Sequence, residues 1–354
     1  MISKIQILSL SSLLAISAVI STANAANAAN SSYQAPLVKE SLLLDIVKGE
    51  NIIIVGGRGH ILTGTTEQNL AQVSVPSITT LTSVTTYGQH VWASGHDASI
   101  LYSSDNGQTW QIQLSIPELD RPFLDLLFFN EKAGIAVGAY GLFYRTDDGG
   151  DTWSKELHAS VLPVDDIDYL ESIKDDPVFY EEELSFILPH FNRLSFAEGK
   201  LYMAGEAGML AVSNDLGKTW ERFDIDYQGS FFDVNQDSMG NIVAVGLRGN
   251  IFVKKSDDVI WQAIQSCVTT SLNSIVDGIN GNVFVTGNNG VILSLDYKEI
   301  FSTSYQEKDE EGCALHASIK KLDSKLSDSI LNGLVINDLM LAVTASGIKQ
   351  IELK

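Results

Sequence analysis

Few residues of this sequence are spaced for chemistry. The six histidines, His60, His90, His96, His158, His190 and His316, are scattered, and only His90 and His96 flank one strand. Structural roles suit them better than metal ligation, which needs clustered donors. There is no Gly-x-Ser-x-Gly, no His-Glu-x-x-His and no cysteine cluster with metal spacing. The motifs of a nucleophile elbow or a zinc peptidase are therefore not written here. The two cysteines, Cys267 and Cys313, can pair in an oxidising compartment, a matter that geometry decides. No cofactor and no metal site is implied. The polar groups worth following lie in short glycine loops: Arg58 and Arg248 in matching loops, and Tyr140, Glu206, Asn288 and Asn289 in three others. Guanidinium groups, a phenol, a carboxylate and amides on one rim would grip a peptide or protein segment. The second candidate is the stretch 158–190, with Asp165, Asp166, Glu181 and Glu182 among nine carboxylates against the single Lys174. Calcium wants several carboxylate oxygens, yet the spacing is not that of a known calcium loop.

These loops belong to a repeat. A Gly-x-x-Gly turn between two apolar strands occurs as VGGRGHIL (55–62), VGAYGLFY (137–144), AGEAGMLA (204–211), VGLRGNIF (245–252) and TGNNGVIL (286–293). SGHDASIL (94–101) has Ala98 at the second glycine, and VTASGIKQ (343–350) keeps only Gly347. The base period is about 41 residues, that of a four-stranded propeller blade. Two inserts, at about 158–190 and 306–330, stretch it. The strand before each turn is a continuous apolar run, which predicts burial on both faces. The expected architecture is all-β: a seven-bladed β-propeller. The chain runs out after the third strand of the last unit, so an N-terminal strand around 32–38 is expected to close that blade and cover its edge. Antiparallel order puts the glycine loops and blade-to-blade linkers on one face. Both inserts read as linkers of that face, the first partly helical, the second helical or mobile.

A second motif punctuates the opposite face. SSDNGQTW (103–110), TDDGGDTW (146–153) and SNDLGKTW (213–220) share the frame Ser/Thr-x-Asp-x-Gly-x-Thr-Trp. Asp105, Asp148 and Asp215 can accept from backbone N–H groups just ahead. Gly107, Gly150 and Gly217 supply positive φ. Trp110, Trp153 and Trp220 open the next strand with a large apolar body. The frame resembles the Asp-box of bacterial neuraminidase repeats, and its expected role is that of a hairpin staple. Neuraminidase-like catalysis needs an arginine cluster, a Tyr–Glu pair and an Asp acid/base. This chain has six arginines, Arg58, Arg121, Arg145, Arg193, Arg222 and Arg248, and lacks the early Arg-Ile-Pro type motif. That glycosidase is the alternative enzyme reading, and a glycan- or calcium-binding module the third.

Lys4, the apolar run 5–20 and Ala23-Asn24-Ala25 have the form of a cleaved signal peptide, 1–25. The remainder, 26–354, is then one exported propeller, with the bacterial periplasm the simplest address. The net charge of −21 disfavours nucleic acid and anionic headgroups.

The combined repeat, apolar strand, Val-Gly-x-x-Gly, Ile/Leu-x-x-Ser-x-Asp-x-Gly-x-Thr-Trp, resembles the photosystem II assembly and stability factor propellers. That resemblance implies a seven-bladed ring without catalysis that assists membrane-protein assembly. In that family an arginine patch is thought to serve binding, and Arg58 and Arg248 are what this chain offers. The function expected is a non-catalytic exported scaffold or assembly factor. It would be a monomer, peripheral to the membrane at most, and would bind an extracytoplasmic segment of a membrane or exported protein.

Overall fold

The computed structural model describes residues 31–278 and 281–353; the signal-like stretch at 1–25 lies outside them. Seven antiparallel sheets follow one another along the chain. Their first strands are Leu43–Lys48, Leu81–Tyr87, Phe123–Phe128, Phe191–Ala197, Phe231–Gln236, Leu272–Asp277 and Ile330–Ile336. Each touches the first strand of its neighbours, and the last touches the first, so these strands surround the axis of a seven-bladed β-propeller. The second strands Ile52–Gly56, Gly134–Gly138 and Ile242–Gly246 are buried at every residue, and the other four at every residue but the first. Apolar runs form here because both faces of each blade meet another blade. The core is accordingly a series of clusters between consecutive blades, such as Ile53, Val55, Leu81 and Leu101 between blades 1 and 2.

The glycines of the loops are dictated by close approach. A Cβ on the first glycine, Gly56, Gly138 or Gly246, would lie 2.1–2.3 Å from the carbonyl oxygen before its own first strand. A Cβ on the second, Gly59, Gly208 or Gly249, would lie 1.8–2.2 Å from a carbonyl of the linker to the next blade. The loops and the linkers thus share one face. On the other face the Asp-Gly-Thr-Trp turns bond to the loops between first and second strands, Asn106 N to Gln89 O and Gly149 N to Lys132 O.

Two expectations about the ends of this ring are corrected. The segment 32–38 is not the fourth strand of blade 7, which has three strands among the described residues. Pro36 lacks the N–H a ladder needs, and the chain there runs through a turn into a single 3-10 turn, Val38–Glu40. It follows blade 1 instead, with Ser32 N on Val75 O and Ala35 N on Gln72 Oε1, each 2.9 Å. Closure is made by packing: Val38 joins Leu43, Ile52, Leu341 and Val343 in the core between blades 7 and 1. The second insert is also placed differently. Ile319–Leu322, read as part of a Lys- and Ser-rich linker, is the fourth strand of blade 6, paired with Ile292–Asp296. The insertion lies before it, in the connection from third to fourth strand, and forms a hairpin of Tyr305–Lys308 with Ala314–His316. Cys267 and Cys313 form a disulfide that ties this hairpin to the linker between blades 5 and 6.

The first insert is two helices, α1 (Val164–Ser172) and α2 (Pro177–Ile187). Pro177 opens α2, and Asp176 caps it by accepting from Phe179 N at 3.2 Å. The acidic first turn of α1 complements its dipole. Among the described residues no helix is long and apolar enough to cross a membrane.

Candidate functional site

On the loop face the third residue of each Gly-x-x-Gly turn is left-handed: Arg58 (φ 58°), Tyr140 (φ 54°), Arg248 (φ 56°) and Asn289 (φ 58°). These four candidates therefore hold equivalent, exposed places around the rim. Asp97 (φ 58°) and Ala207 (φ 53°) complete the series in blades 2 and 4. Glu206 and Asn288 belong one position earlier. Glu206 lies 3.5 Å from His190 Nδ1, and Asn288 Oδ1 accepts from Asn273 within blade 6. The rim is thus less uniform than the sequence suggested, and Arg58 and Arg248, in blades 1 and 5, stand apart from any shared partner.

The other four arginines do not assemble into a carboxylate clamp. Arg145 holds Glu156 at 2.6 Å and two carbonyls of the 213–220 turn. Arg222 donates to Val161 O and Ala207 O, 2.8 and 2.9 Å, and so pins the start of the helical insert to the blade 4 loop. Arg193 lies near the axis beside Asp125. Arg121 lies over the Tyr140 ring, 5.2 Å from its centroid, and donates to Tyr140 O at 3.2 Å. The His190 ring meets the same tyrosine edge-on at 4.4 Å.

This last group, Arg121, Tyr140, His190 and Glu206, borders the helical insert, and there the loop face has real relief. A groove of about 610 Å³ is lined by Arg121 and Lys155 on one side and by Val178, Glu181, Glu182 and Phe186 of α2 on the other. Val178 is 70% and Phe186 81% exposed, and both stand on the groove wall. Glu181 and Glu182 are exposed beside them, as is Asp165 on α1, while Asp166 is half-buried near Arg222. The inner side of the insert is core: Val161, Leu162, Leu170, Leu184 and Leu188 pack with Phe143, Phe191 and Trp220. Gly141 N donates to Pro189 O, and a Cβ on Gly141 would lie 2.3 Å from Leu188. The insert is a fixed wall of the propeller rather than a flap, and the groove is preformed. The sequence pointed to Tyr140, Glu181 and Glu182. It missed Arg121, Phe186 and His190, whose signal was only their closeness in chain to a glycine loop or to an acidic run.

The axis carries a second polar arrangement. The third residue of each first strand is Asp45, Ser83, Asp125, Arg193, Asp233, Ser274 and Asn332 in turn. The aspartates of blades 1, 3 and 5 each accept a backbone N–H of the next blade, Val84, Leu194 and Ile275, at 2.7–2.8 Å. Ser83 Oγ donates to Asp125 at 2.6 Å, and Asn332 donates to Asp45 across the closure. Burial pushes Asp233 up to about 6, against the pull of Arg193. Burial likewise raises Asp125, and Arg193 again opposes it.

The fold defines a class, the seven-bladed β-propeller, here with a groove on its loop face. Comparison with known proteins narrows it. A model of the DUF6242 β-propeller domain matches residues 23–176. The chain is 22% identical over 198 residues to the photosystem II assembly lipoprotein Ycf48 of Synechococcus sp. (strain CC9902), covering 55% of this chain and 52% of that protein. It is 26% identical over 172 residues to the chloroplastic photosystem II stability/assembly factor HCF136 of Arabidopsis thaliana, covering 46% of this chain and 37% of that one. The match thus spans about half or less of these relatives. Among solved structures, YCF48 from Cyanidioschyzon merolae superposes with a TM-score of 0.65 at 14% identity, covering 91% of this chain and 98% of that one. YCF48 bound to D1 peptide gives 0.63 at 14%, covering 91% and 96%. The chain is thus similar in sequence, over about half of its length, to photosystem II assembly factors, and shares its propeller fold with two solved YCF48 structures.

Proposed function

We propose that this protein is an exported, non-catalytic binding factor that holds an extracytoplasmic segment of a membrane or exported protein in the groove between α2 and the blade 2–3 rim. The observation that carries the reading is the groove itself. It is preformed, it exposes Phe186 and Val178, and it offers charges of both signs, Arg121 and Lys155 facing Glu181 and Glu182. Such a lining suits a peptide with apolar anchors and polar flanks. A solved propeller of the same fold carries a D1 peptide, which supports a peptide-binding role for the architecture. The signal-like segment 1–25 supports export, and the simplest address is the periplasm.

The test is site-specific photocrosslinking from position 182, an exposed position on the groove wall, in the native host, followed by identification of the captured protein. Replacement of Val178 and Phe186 by serine should reduce capture at least about tenfold, the loss of two buried apolar anchors. Both side chains are exposed, so the fold should survive, whereas deleting 160–189 would remove five buried core residues. Undiminished capture by the double variant would reject the groove as the site. N-terminal sequencing of the mature protein checks export, which predicts a start near Ala26.

A further inference from the structure

The intact Asp-Gly-Thr-Trp turns do more than staple their own hairpins. Each also closes the cleft between its blade and the preceding one. Asn51 Nδ2 of blade 1 donates to Asn106 O at 2.9 Å. Trp92 Nε1 and Gln113 Nε2 of blade 2 donate to Gly149 O at 3.2 and 2.9 Å. Arg145 of blade 3 donates to Leu216 O and Gly217 O at 2.9 and 2.8 Å. In blade 6 the motif stops after Ser294 and Asp296, and Tyr297 and Lys298 follow. The matching cleft between blades 5 and 6 stays open as a cavity of about 380 Å³ on the face opposite the rim groove.

The lining of this cavity is acceptor-rich. Gln236 is 9% exposed, and among the described residues its Oε1 has no partner. The buried hydroxyl of Tyr297 likewise has none among them. Leaving a buried polar atom unsatisfied is costly, so a ligand that reaches both relieves that cost. Three carboxylates, Asp237, Asp277 and Asp296, face one ammonium, Lys298. Asp237 is already engaged by Met239 N, Asn241 N and Asn241 Nδ2. Asp277 and Asp296 each use one oxygen within the protein, for Asn235 Nδ2 and Lys298 N, and keep the other. Burial, with Asp237 and Asp277 nearby, pushes the Tyr297 hydroxyl up, so it stays neutral and competent to donate or accept. Among the described residues these carboxylates do not cluster tightly enough to chelate one metal ion.

We propose that the cleft between blades 5 and 6 binds an organic cation, a guanidinium or primary alkylammonium group, with Gln236 Oε1, Asp277 and Asp296 as acceptors. A cation with several N–H donors meets an acceptor-rich, net acidic lining, and a guanidinium presents five donors in one plane. The volume is at the small end of ligand sites and matches one side-chain-sized group. The source is either a free amine or a basic side chain of a polypeptide, and the two are separable by experiment.

The experiment is calorimetric titration of the full chain with agmatine, with a capped Gly-Arg-Gly tripeptide and with n-butanol as the neutral control. Saturable binding of a guanidinium probe, weakened about tenfold or more by Asp277→Asn with Asp296→Asn and several-fold by Gln236→Leu, supports the site. Tighter binding of the tripeptide assigns the cation to a polypeptide, tighter binding of agmatine to a free amine. Circular dichroism confirms that each variant is folded. No saturable binding at millimolar probe, equal binding of n-butanol, or full affinity in the folded double variant each overturns it. The site shares no residue with the rim groove, so this result and the crosslinking result stand or fall separately.

Discussion

Arg193 Nη1 lies 3.7 Å from Asp125 Oδ1, between the innermost strands of blades 4 and 3, and Arg193 is the one cation among the seven equivalent axial residues. Asp125 spends its oxygens on Ser83 Oγ, Leu126 N and Leu194 N, so it bridges blades 2, 3 and 4 at once. The guanidinium also feels Asp233 and Asp45, and together these anions hold it above its ordinary range. It is therefore charged at all accessible pH and compensates three buried carboxylates.

Replacing Arg193 by methionine keeps the apolar stem and removes that compensation. Breaking a buried pair by deleting one partner costs about 3–5 kcal/mol; the Arg193 side chain is 19% exposed to the channel, which points to the lower end. Urea unfolding should show a loss of about 3 kcal/mol, partly restored when Asp125→Asn is added. A loss below about 1 kcal/mol, the value of an exposed pair, would show that the axis is too wet for the pair to matter.

The same ring sets a pH dependence. Asp233 is buried, and its carboxyl is pushed up from 3.8 to about 6, chiefly by desolvation, with Arg193 opposing and Asp125 reinforcing. The folded state thus holds the proton more tightly than the unfolded chain. The associated stability is fully present below pH 3.8 and is lost as pH rises through about 6. Asp148 and Asp215 act in the opposite sense. Hydrogen bonds from Thr152 and Thr219 hold them at about 2, so their contribution is present above pH 3.8 and lost as pH falls toward about 2. Calorimetry on wild type and Asp233→Asn checks the first claim. The Tm of the variant relative to wild type should rise between pH 3.8 and pH about 6 and level off above it. A constant difference would place the titration elsewhere.

Glycine placement gives a cleaner contrast. Gly249 has φ +74°, and a Cβ there would lie 1.9 Å from Val268 O, a backbone atom of the linker into blade 6. Gly88 has φ +59° with nothing within 4 Å of a Cβ. Alanine at Gly88 meets only the left-handed penalty, about 1–2 kcal/mol. Alanine at Gly249 adds a clash that moves a linker, so its loss should exceed that of Gly88→Ala by more than about 1 kcal/mol. Equal losses in urea would mean that the linker yields without strain.

That geometry explains how much the sequence revealed. In blades 1, 4, 5 and 6 both glycines of the loop are forced by close backbone carbonyls, so the spacing of these loops, with Ala98 and Gly347 marking the two degenerate ones, counted the blades. The buried second strands left apolar runs for the same reason. The N-terminal latch was misread because Pro36 turns the chain, while Val38 closes the ring as a side chain in a core rather than as a strand. Ile319–Leu322 looked like a linker because Lys320 and Lys321 dominate it, although Ile319 is 1% exposed. The axial residues were invisible for another reason. One Asp, Ser, Arg or Asn near the start of a strand looks like ordinary alternation until seven strands are superposed. Arg121 and Phe186 meet across the groove from chain positions too far apart for local pattern to link them.

The disulfide yields the last prediction. Cys267 lies in the linker after blade 5, and Cys313 lies in the hairpin inserted into blade 6, 46 residues on. Closing a loop of that length restricts the unfolded chain by about 2–4 kcal/mol. The hairpin has other anchors, His316 N on Gln265 O at 3.0 Å and His316 Nε2 paired with Ser302 O at 2.8 Å. Its first strand, Tyr305–Lys308, is exposed throughout. The fourth strand of blade 6 begins only at Ile319, beyond the bridge, and pairs with the third strand independently. Reduction, or Cys267→Ser with Cys313→Ser, should therefore lower global stability and release the hairpin locally while blade 6 stays intact. Limited proteolysis followed by mass spectrometry should find new cleavage within 305–316 in the reduced protein and none within Asn282–Gly287 or Ile292–Asp296. Identical digestion of oxidised and reduced protein would show that the His316 anchors alone hold the hairpin and that the bridge is dispensable to it.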